Sequence, residues 1–184
     1  MLKGEKIILR PLKIEDLEKT HKWRNDFELT KLTQGIRFPK TLEMDREWFD
    51  NVLNDKSNRN IYFGIDEIEK NEFIGIIQLN NIDWISSNCD FGISIGSNGK
   101  RGRGYGMQAM SLLFDYAFFY LNLRKILLKV VKLNIGAIKL YQKMGFTQEG
   151  FFIEQYYCNN EYHDVIIMSL FKKKWLEIGN NNKN

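Results

Sequence analysis

Apolar positions along the chain change period several times, and each change predicts an element. "KIILRPL" reads as a first strand, and "IEDLEKTHKWRND" follows as a charged surface helix. "FELTKLTQGIRFPK" has no sustained period and reads as loop. In "TLEMDREWFDNVLN" Thr41 stands at a cap position and Leu42, Trp48, Phe49 and Val52 supply the apolar face of a second helix. "NIYFGIDEI", "EFIGIIQLNNIDWI" and "CDFGISIG" are rich in Ile and Phe and separated by short polar turns, which predicts three consecutive antiparallel strands.

Over residues 105 to 122 the recurrence lengthens to three and four. Ala109, Leu112, Leu113, Tyr116, Ala117 and Tyr120 form one stripe and Met110, Phe114 and Phe118 a second, so this helix should be largely buried. "KILLKVVKL" is a strand. "NIGAIKLYQKMG" is a helix with Asn134 at its cap and Gly145 just past its end. "TQEGFFIEQYYCNN" and "EYHDVIIMSLFKK" are two more strands joined by "NNE" as a hairpin, and "GNNNKN" reads as a polar, frayed tail. The order predicts one α/β domain over residues 1–175, built on a mixed, mostly antiparallel sheet flanked by helices, with a polar tail over 176–184.

Composition narrows the classes. With 184 residues and 43% hydrophobic content the chain can bury its own core. A net charge of +4 admits an acidic ligand but is too small and too dispersed to argue for nucleic acid. No apolar run is long enough for a membrane span, and the amino terminus lacks the apolar core of a signal peptide. Cys89 and Cys158 are the two cysteines, far apart and without the spacing of a metal site, so the expectation is a cytoplasmic protein with no metal, no membrane and no nucleic-acid partner.

The chemistry concentrates in "RGRGYG", residues 101 to 106. Gly102, Gly104 and Gly106 tolerate positive φ and let backbone N–H groups converge on one concavity, next to a helix that begins near Tyr105. The helix end and the charges of Arg101 and Arg103 favour phosphate oxygens there, and pyrophosphate is the natural size. A plain tight turn explains the same letters. The spacing is not that of a dinucleotide fingerprint, and no Walker lysine follows.

Arg101-x-x-Gly104-x-Gly106 resembles the acetyl-CoA pyrophosphate signature of the GNAT N-acetyltransferase superfamily, and "NIGAIKLYQKMGF" is similar to a second segment of that family at Asn134, Ala137, Tyr141, Gly145 and Phe146. The resemblance covers nearly the whole chain. "GFTQEGFF" and "EYHDVIIMSL" resemble the branch with ribosomal-protein N-terminal and spermidine N-acetyltransferases, while "KWRN" and "CDFGISIG" resemble enzymes acting on nucleotide-linked amino sugars. The resemblance implies the GNAT fold and direct transfer of acetyl from acetyl-CoA to a primary amine on a small molecule or peptide. A homodimer is compatible with it. The rival class is a non-catalytic acyl-CoA-binding regulatory module, which would tolerate loss of Tyr141.

For individual residues the resemblance implies that the strand around Ile93, Ser94 and Ile95 splays from its neighbour and pairs with the pantetheine arm, with Gly92 marking an irregularity. Residues 101 to 106 would hold the pyrophosphate, with Asn134 and Ala137 beside the cofactor. Tyr141 would face the departing thiolate, although Ala137, Leu140, Tyr141 and Met144 share one helical face and a core tyrosine fits that pattern too. Asp90 stands where many members carry Glu and is the candidate base, directly or through water. Trp23, Arg24 and Asn25 are candidates for the acceptor pocket. His21 is expected to be solvated, His163 structural or on the substrate side, and Cys89 packed.

Overall fold

The computed structural model describes residues 1–33, 38–96, 99–100 and 102–181. Its centre is an eight-stranded sheet in the order β1-β2-β3-β4-β5-β6-β8-β7, with β1 at Leu2–Lys3, β2 at Ile7–Pro11, β3 at Ile61–Glu67, β4 at Glu72–Asp83, β5 at Asn88–Ile95, β6 at Lys125–Val131, β7 at Thr147–Cys158 and β8 at Glu161–Phe171. Every pairing is antiparallel except β5 with β6. The helices are α1 (Leu17–Arg24), α2 (Phe27–Thr30), α3 (Leu42–Leu53), α4 (Tyr105–Asp115), α5 (Ile135–Lys143) and α6 (Lys172–Asn181).

Local chemistry explains the boundaries. The Thr41 hydroxyl accepts the Met44 N–H at the start of α3, as its position predicts. Asp83 ends β4 by accepting the N–H groups of Ile85 and Ser86, both at 2.9 Å, which is why the strand stops short of Trp84. At the "NNE" hairpin Asn159 and Asn160 both take positive φ (54° and 66°), as a two-residue turn between twisted strands requires. α4 runs on into a wide π turn over Tyr116–Tyr120, closed by Leu121 N–H to the Tyr116 carbonyl at 3.0 Å. Met110, Leu113, Phe114, Ala117 and Phe118 are buried against the sheet, and Phe91 meets Phe114 edge-on at 5.1 Å. Tyr120, expected in the buried stripe, is 78% exposed because the π turn rotates it outward.

Two expectations are corrected. The segment after Asp26 is not all loop: α2 forms there, with Asp26 accepting the Leu29 N–H and Leu29 buried. One turn with one buried apolar residue leaves no period to detect. The part of the expected tail from 176 to 181 is helical, since α6 continues to Asn181. Trp175 anchors it, packing edge-on against Phe114 at 5.6 Å while its indole N–H donates to Asp115 at 2.8 Å.

Gly145 closes α5 with a Schellman turn. Its N–H reaches the Gln142 carbonyl and the Phe146 N–H reaches the Tyr141 carbonyl, both at 3.0 Å, with φ at +93°. A Cβ there would lie 2.4 Å from Ile178 Cδ1. Gly145→Ala is therefore expected to cost about 1–2 kcal/mol, mostly from the left-handed backbone. Denaturant unfolding checks this, and an unchanged midpoint would contradict it.

Candidate active site

The glycine-rich stretch leads into a helix end with no side-chain cap. Gly102 and Gly104 both sit in the left-handed region (φ +76° and +86°), and a Cβ at either would meet nothing within 4 Å. Gly104 is the N-cap of α4 and offers no side chain, and the first bond of the helix is Gln108 N–H to the Gly104 carbonyl at 3.0 Å. The N–H groups of Tyr105, Gly106 and Met107 consequently have no protein acceptor among the described residues. Three donors at the positive end of an eleven-residue helix suit phosphate oxygens.

The individual assignments in this stretch need adjustment. Arg101 lies outside the described residues. Gly106 is helical rather than left-handed, so it helps by smallness: a Cβ there would approach Ile93 Cδ1 at 3.9 Å. Arg103 is exposed at the rim. The Tyr105 side chain does not face the anion position; it is buried and its hydroxyl donates to the buried Glu67 carboxylate. Lys100 ends on the same carboxylate and on Glu72 at 2.9 Å. Lys100 and then Tyr105 hold Glu67 below the ordinary carboxylate range, while Glu67, followed by Glu72, raises the Lys100 ammonium. This Lys100–Glu67–Tyr105 cluster pins both flanks of the loop to β3 and takes Lys100 out of the charge available to a ligand.

Beside the loop the sheet opens. β5 pairs with β6 only at Asn88, Cys89 and Asp90, and from Phe91 onward the two strands part. On its other edge β5 stays paired with β4 through Ile95, and the Gly96 N–H bonds the Ile74 carbonyl at 2.9 Å. That bond sets the phase of the ladder. Gly92 and Ser94 turn their backbone groups to β4, whereas Phe91, Ile93 and Ile95 turn theirs into the gap. The splay expected at residues 93 to 95 is present, but Ser94 faces β4 with its backbone. Gly92 pairs regularly with Gln78, and a Cβ there would meet Gln78 Nε2 at 3.0 Å. The β4–β5 irregularity lies between Asn80 and Asp83 instead, so Gly92 marks close side-chain approach, not a bulge.

The two faces of this opening differ. On the α4 side Phe91 and Phe146 flank Tyr141 at 6.3 and 5.8 Å between ring centres. Burial pushes the Tyr141 hydroxyl up to about 12, and it has no hydrogen-bond partner among the described residues. Asn134 caps α5 by accepting the Ala137 N–H at 3.2 Å and donates to the Leu32 carbonyl at 3.3 Å. Ala137 packs against the core.

On the other face lies a cavity of about 280 Å³ between α1, α2, α3 and the strands β4 and β5. Trp23, Arg24 and Trp48 form its helical wall, and Gln78, Gly92 and Ser94 its floor. Trp23 is packed as well as exposed to the cavity: it lies 5.0 Å from Phe73, and a Cβ on Gly96 would sit 1.8 Å from its ring, so glycine is required there. Asn25 is outside this lining. Its amide donates to the Lys40 carbonyl (3.1 Å) and accepts the Lys40 N–H (2.9 Å), clamping the ends of the segment between α1 and α3.

His21 is not simply solvated. Its Nδ1 lies 2.7 Å from Asp45, a fully buried carboxylate on α3 that also meets Arg24. Asp90 shares a strand face with Gly92 and Ser94, but its carboxylate accepts from the Asn81 amide at 2.9 Å and does not line the cavity. His163 lies 3.1 Å from the Cys158 carbonyl, and burial pushes the Cys89 thiol up to about 12, the state of a packed cysteine. Among the described residues no three His, Cys, Asp or Glu side chains gather as a metal site, and no helix is long and apolar enough to cross a membrane.

The same architecture recurs in known proteins. A family model of the acetyltransferase (GNAT) domain matches residues 6–147. The spermidine N(1)-acetyltransferase of Escherichia coli K12 is 30% identical over 176 residues, covering 96% of this chain and 91% of that protein, and the Vibrio cholerae enzyme is 29% identical over 94% and 97%. The Vibrio cholerae spermidine N-acetyltransferase solved with CoA and spermine superposes with a TM-score of 0.85 at 27% identity, over 93% of this chain and 98% of that one. The opened sheet, the bare helix end beside it and these similarities have one common source: the chain belongs to the GNAT acetyltransferase family and is an acetyl-CoA-dependent N-acetyltransferase.

Proposed function

We propose that the enzyme moves acetyl from acetyl-CoA directly to a primary amine while both are bound, the donor threaded through the gap between β5 and β6 and the amine presented from the cavity. The observation that carries this reading is the parting of β5 from β6 after Asp90, which leaves Ile93 and Ile95 with free backbone groups between the anion-binding helix end and the cavity. The acceptor is a small-molecule or peptide amine. The polyamine enzymes among the relatives, protein N-termini and nucleotide-linked amino sugars define the classes to be tried.

In this reading the N–H groups of Tyr105, Gly106 and Met107 take the pyrophosphate, with Gly102 and Gly104 shaping the approach and Arg101 and Arg103 adding charge. Ile93 and Ile95 pair with the pantetheine, and Asn134 and Ala137 support the α5 side. Bound acetyl-CoA supplies a thioester carbonyl to which the amine adds as the carbon–sulfur bond breaks. Holding the two reactants in line is the main contribution, worth about 7–11 kcal/mol in well-oriented systems. Tyr141 donates a hydrogen bond to the departing sulfur.

Asp90 assists removal of the amine proton through water, since its carboxylate is already held by Asn81. Asp90→Asn is expected to slow turnover by less than about tenfold, below the usual range for a direct general base. A loss of about 100-fold would make Asp90 the base itself. The reading as a whole is tested by thiol release from acetyl-CoA across a panel of peptides, polyamines and nucleotide amino sugars. Tight CoA binding without release on any amine would favour an acyl-CoA-binding regulatory module.

A further inference from the structure

The charged lining of the cavity is one-sided. Among the described residues that line it, Arg24 is the sole ionisable group of either sign, and no carboxylate reaches it. Spermidine and its relatives carry only positive charge. Neutral acceptors stand in the wall at Gln78, Ser94 and Thr30, but its one formal charge, Arg24, is a cation that offers donors alone and repels an ammonium.

The guanidinium is also held in place. It stacks over the Trp48 ring at 4.1 Å, and its Nε lies 2.9 Å from Asp45 Oδ1. Asp45 is fully buried behind it and is shared with His21, so the carboxylate anchors Arg24 without facing the cavity. Nε and Oδ1 form an ion pair that is out of line for a hydrogen bond. The Thr20 hydroxyl, one turn earlier on α1 and also in the cavity lining, is a buried polar group with no hydrogen-bond partner among the described residues, where buried polar groups are normally satisfied. The terminal nitrogens of Arg24 donate no hydrogen bond to the protein among the described residues.

We infer that Arg24 is the specificity-determining contact of the acceptor site, receiving a carboxylate or phosphate on the same molecule that presents the amine, so that the preferred acceptor is an anionic amine and not a bare polyamine. This rests on the amine-transfer reading above. The planar guanidinium is suited to either anion, fixed by Trp48 on its face and Asp45 at its inner edge.

The test measures kcat/KM with three acceptors: spermidine, a peptide amine bearing acidic side chains, and an amino sugar carried on a nucleoside diphosphate. Wild type is expected to prefer one of the two anionic amines over spermidine, and which one it prefers separates carboxylate from phosphate. Arg24→Gln should lower that preference at least about tenfold, chiefly through KM for the anionic amine. Because Arg24→Gln leaves the buried Asp45 with His21 alone beside it, Arg24→Gln/Asp45→Asn is measured in parallel, with thermal midpoints to establish folding. A wild-type preference for spermidine, or an anionic preference that survives in the folded variants, overturns the inference while leaving acetyl transfer intact. Absence of transfer to all three with CoA still bound strikes the amine-transfer reading itself, and this inference with it.

Discussion

Gly104→Glu should weaken acetyl-CoA binding by about 100-fold or more while leaving the protein folded. The position is left-handed and open, with no atom within 4 Å of where a Cβ would stand, so the side chain meets no steric barrier. Its backbone cost is about 1–2 kcal/mol. The larger effect is on the ligand. Charge-assisted hydrogen bonds contribute about 1.5–3 kcal/mol each, and a carboxylate at the N-cap competes for the N–H groups of Gly106 and Met107 and repels the phosphates that would use them. Gly104→Ala carries the backbone cost without the charge and separates the two contributions. Calorimetric titration with CoA measures both variants. Equal affinity of Gly104→Glu and wild type would remove the loop from donor binding.

Tyr141→Phe should lower turnover by about 100-fold, the scale of one lost transition-state hydrogen-bond donor, with little change in acetyl-CoA affinity. The form of its contribution follows from burial. With its hydroxyl at about 12 and an ordinary thiol near 8.5, complete proton transfer to the departing sulfur is uphill by about 5 kcal/mol. Donation of a hydrogen bond needs no such transfer. Because burial favours the neutral phenol, Tyr141 stays protonated throughout the neutral range, and the ratio of wild-type to Tyr141→Phe turnover should be constant from about pH 6 to 9. Unchanged turnover in the variant would leave Tyr141 as a packing residue between Phe91 and Phe146.

What the sequence disclosed about this site depended on distance along the chain. Features set by a few neighbouring residues were legible: the Thr41 cap, the Asn159–Asn160 turn, the glycine at 145 that ends α5, and the left-handed glycines at 102 and 104. Features set by pairs distant in sequence were not. Glu67 gives no sign in "YFGIDEI" that it will bury itself beneath Lys100 and Tyr105, so the tyrosine of "RGRGYG" reads as part of the phosphate loop although its ring belongs to the core. His21 looks like a solvent-facing charge on an amphipathic helix, and only the folding of α3 against α1 places Asp45 between it and Arg24. Asn25 shows the same limit, since its partner is the backbone of Lys40 fifteen residues on. The helix α6 was missed for a different reason: its buried contacts come from Trp175 and Ile178 in an otherwise polar run, and its docking against Phe114 and Gly145 is tertiary.

If donor and acceptor occupy the two sides of the opened sheet together, as proposed, initial rates with acetyl-CoA and an accepted amine varied against each other give intersecting lines, and acetyl-CoA supplied alone leaves no acetyl group on the protein. Parallel lines with an acetylated protein intermediate would exclude direct transfer.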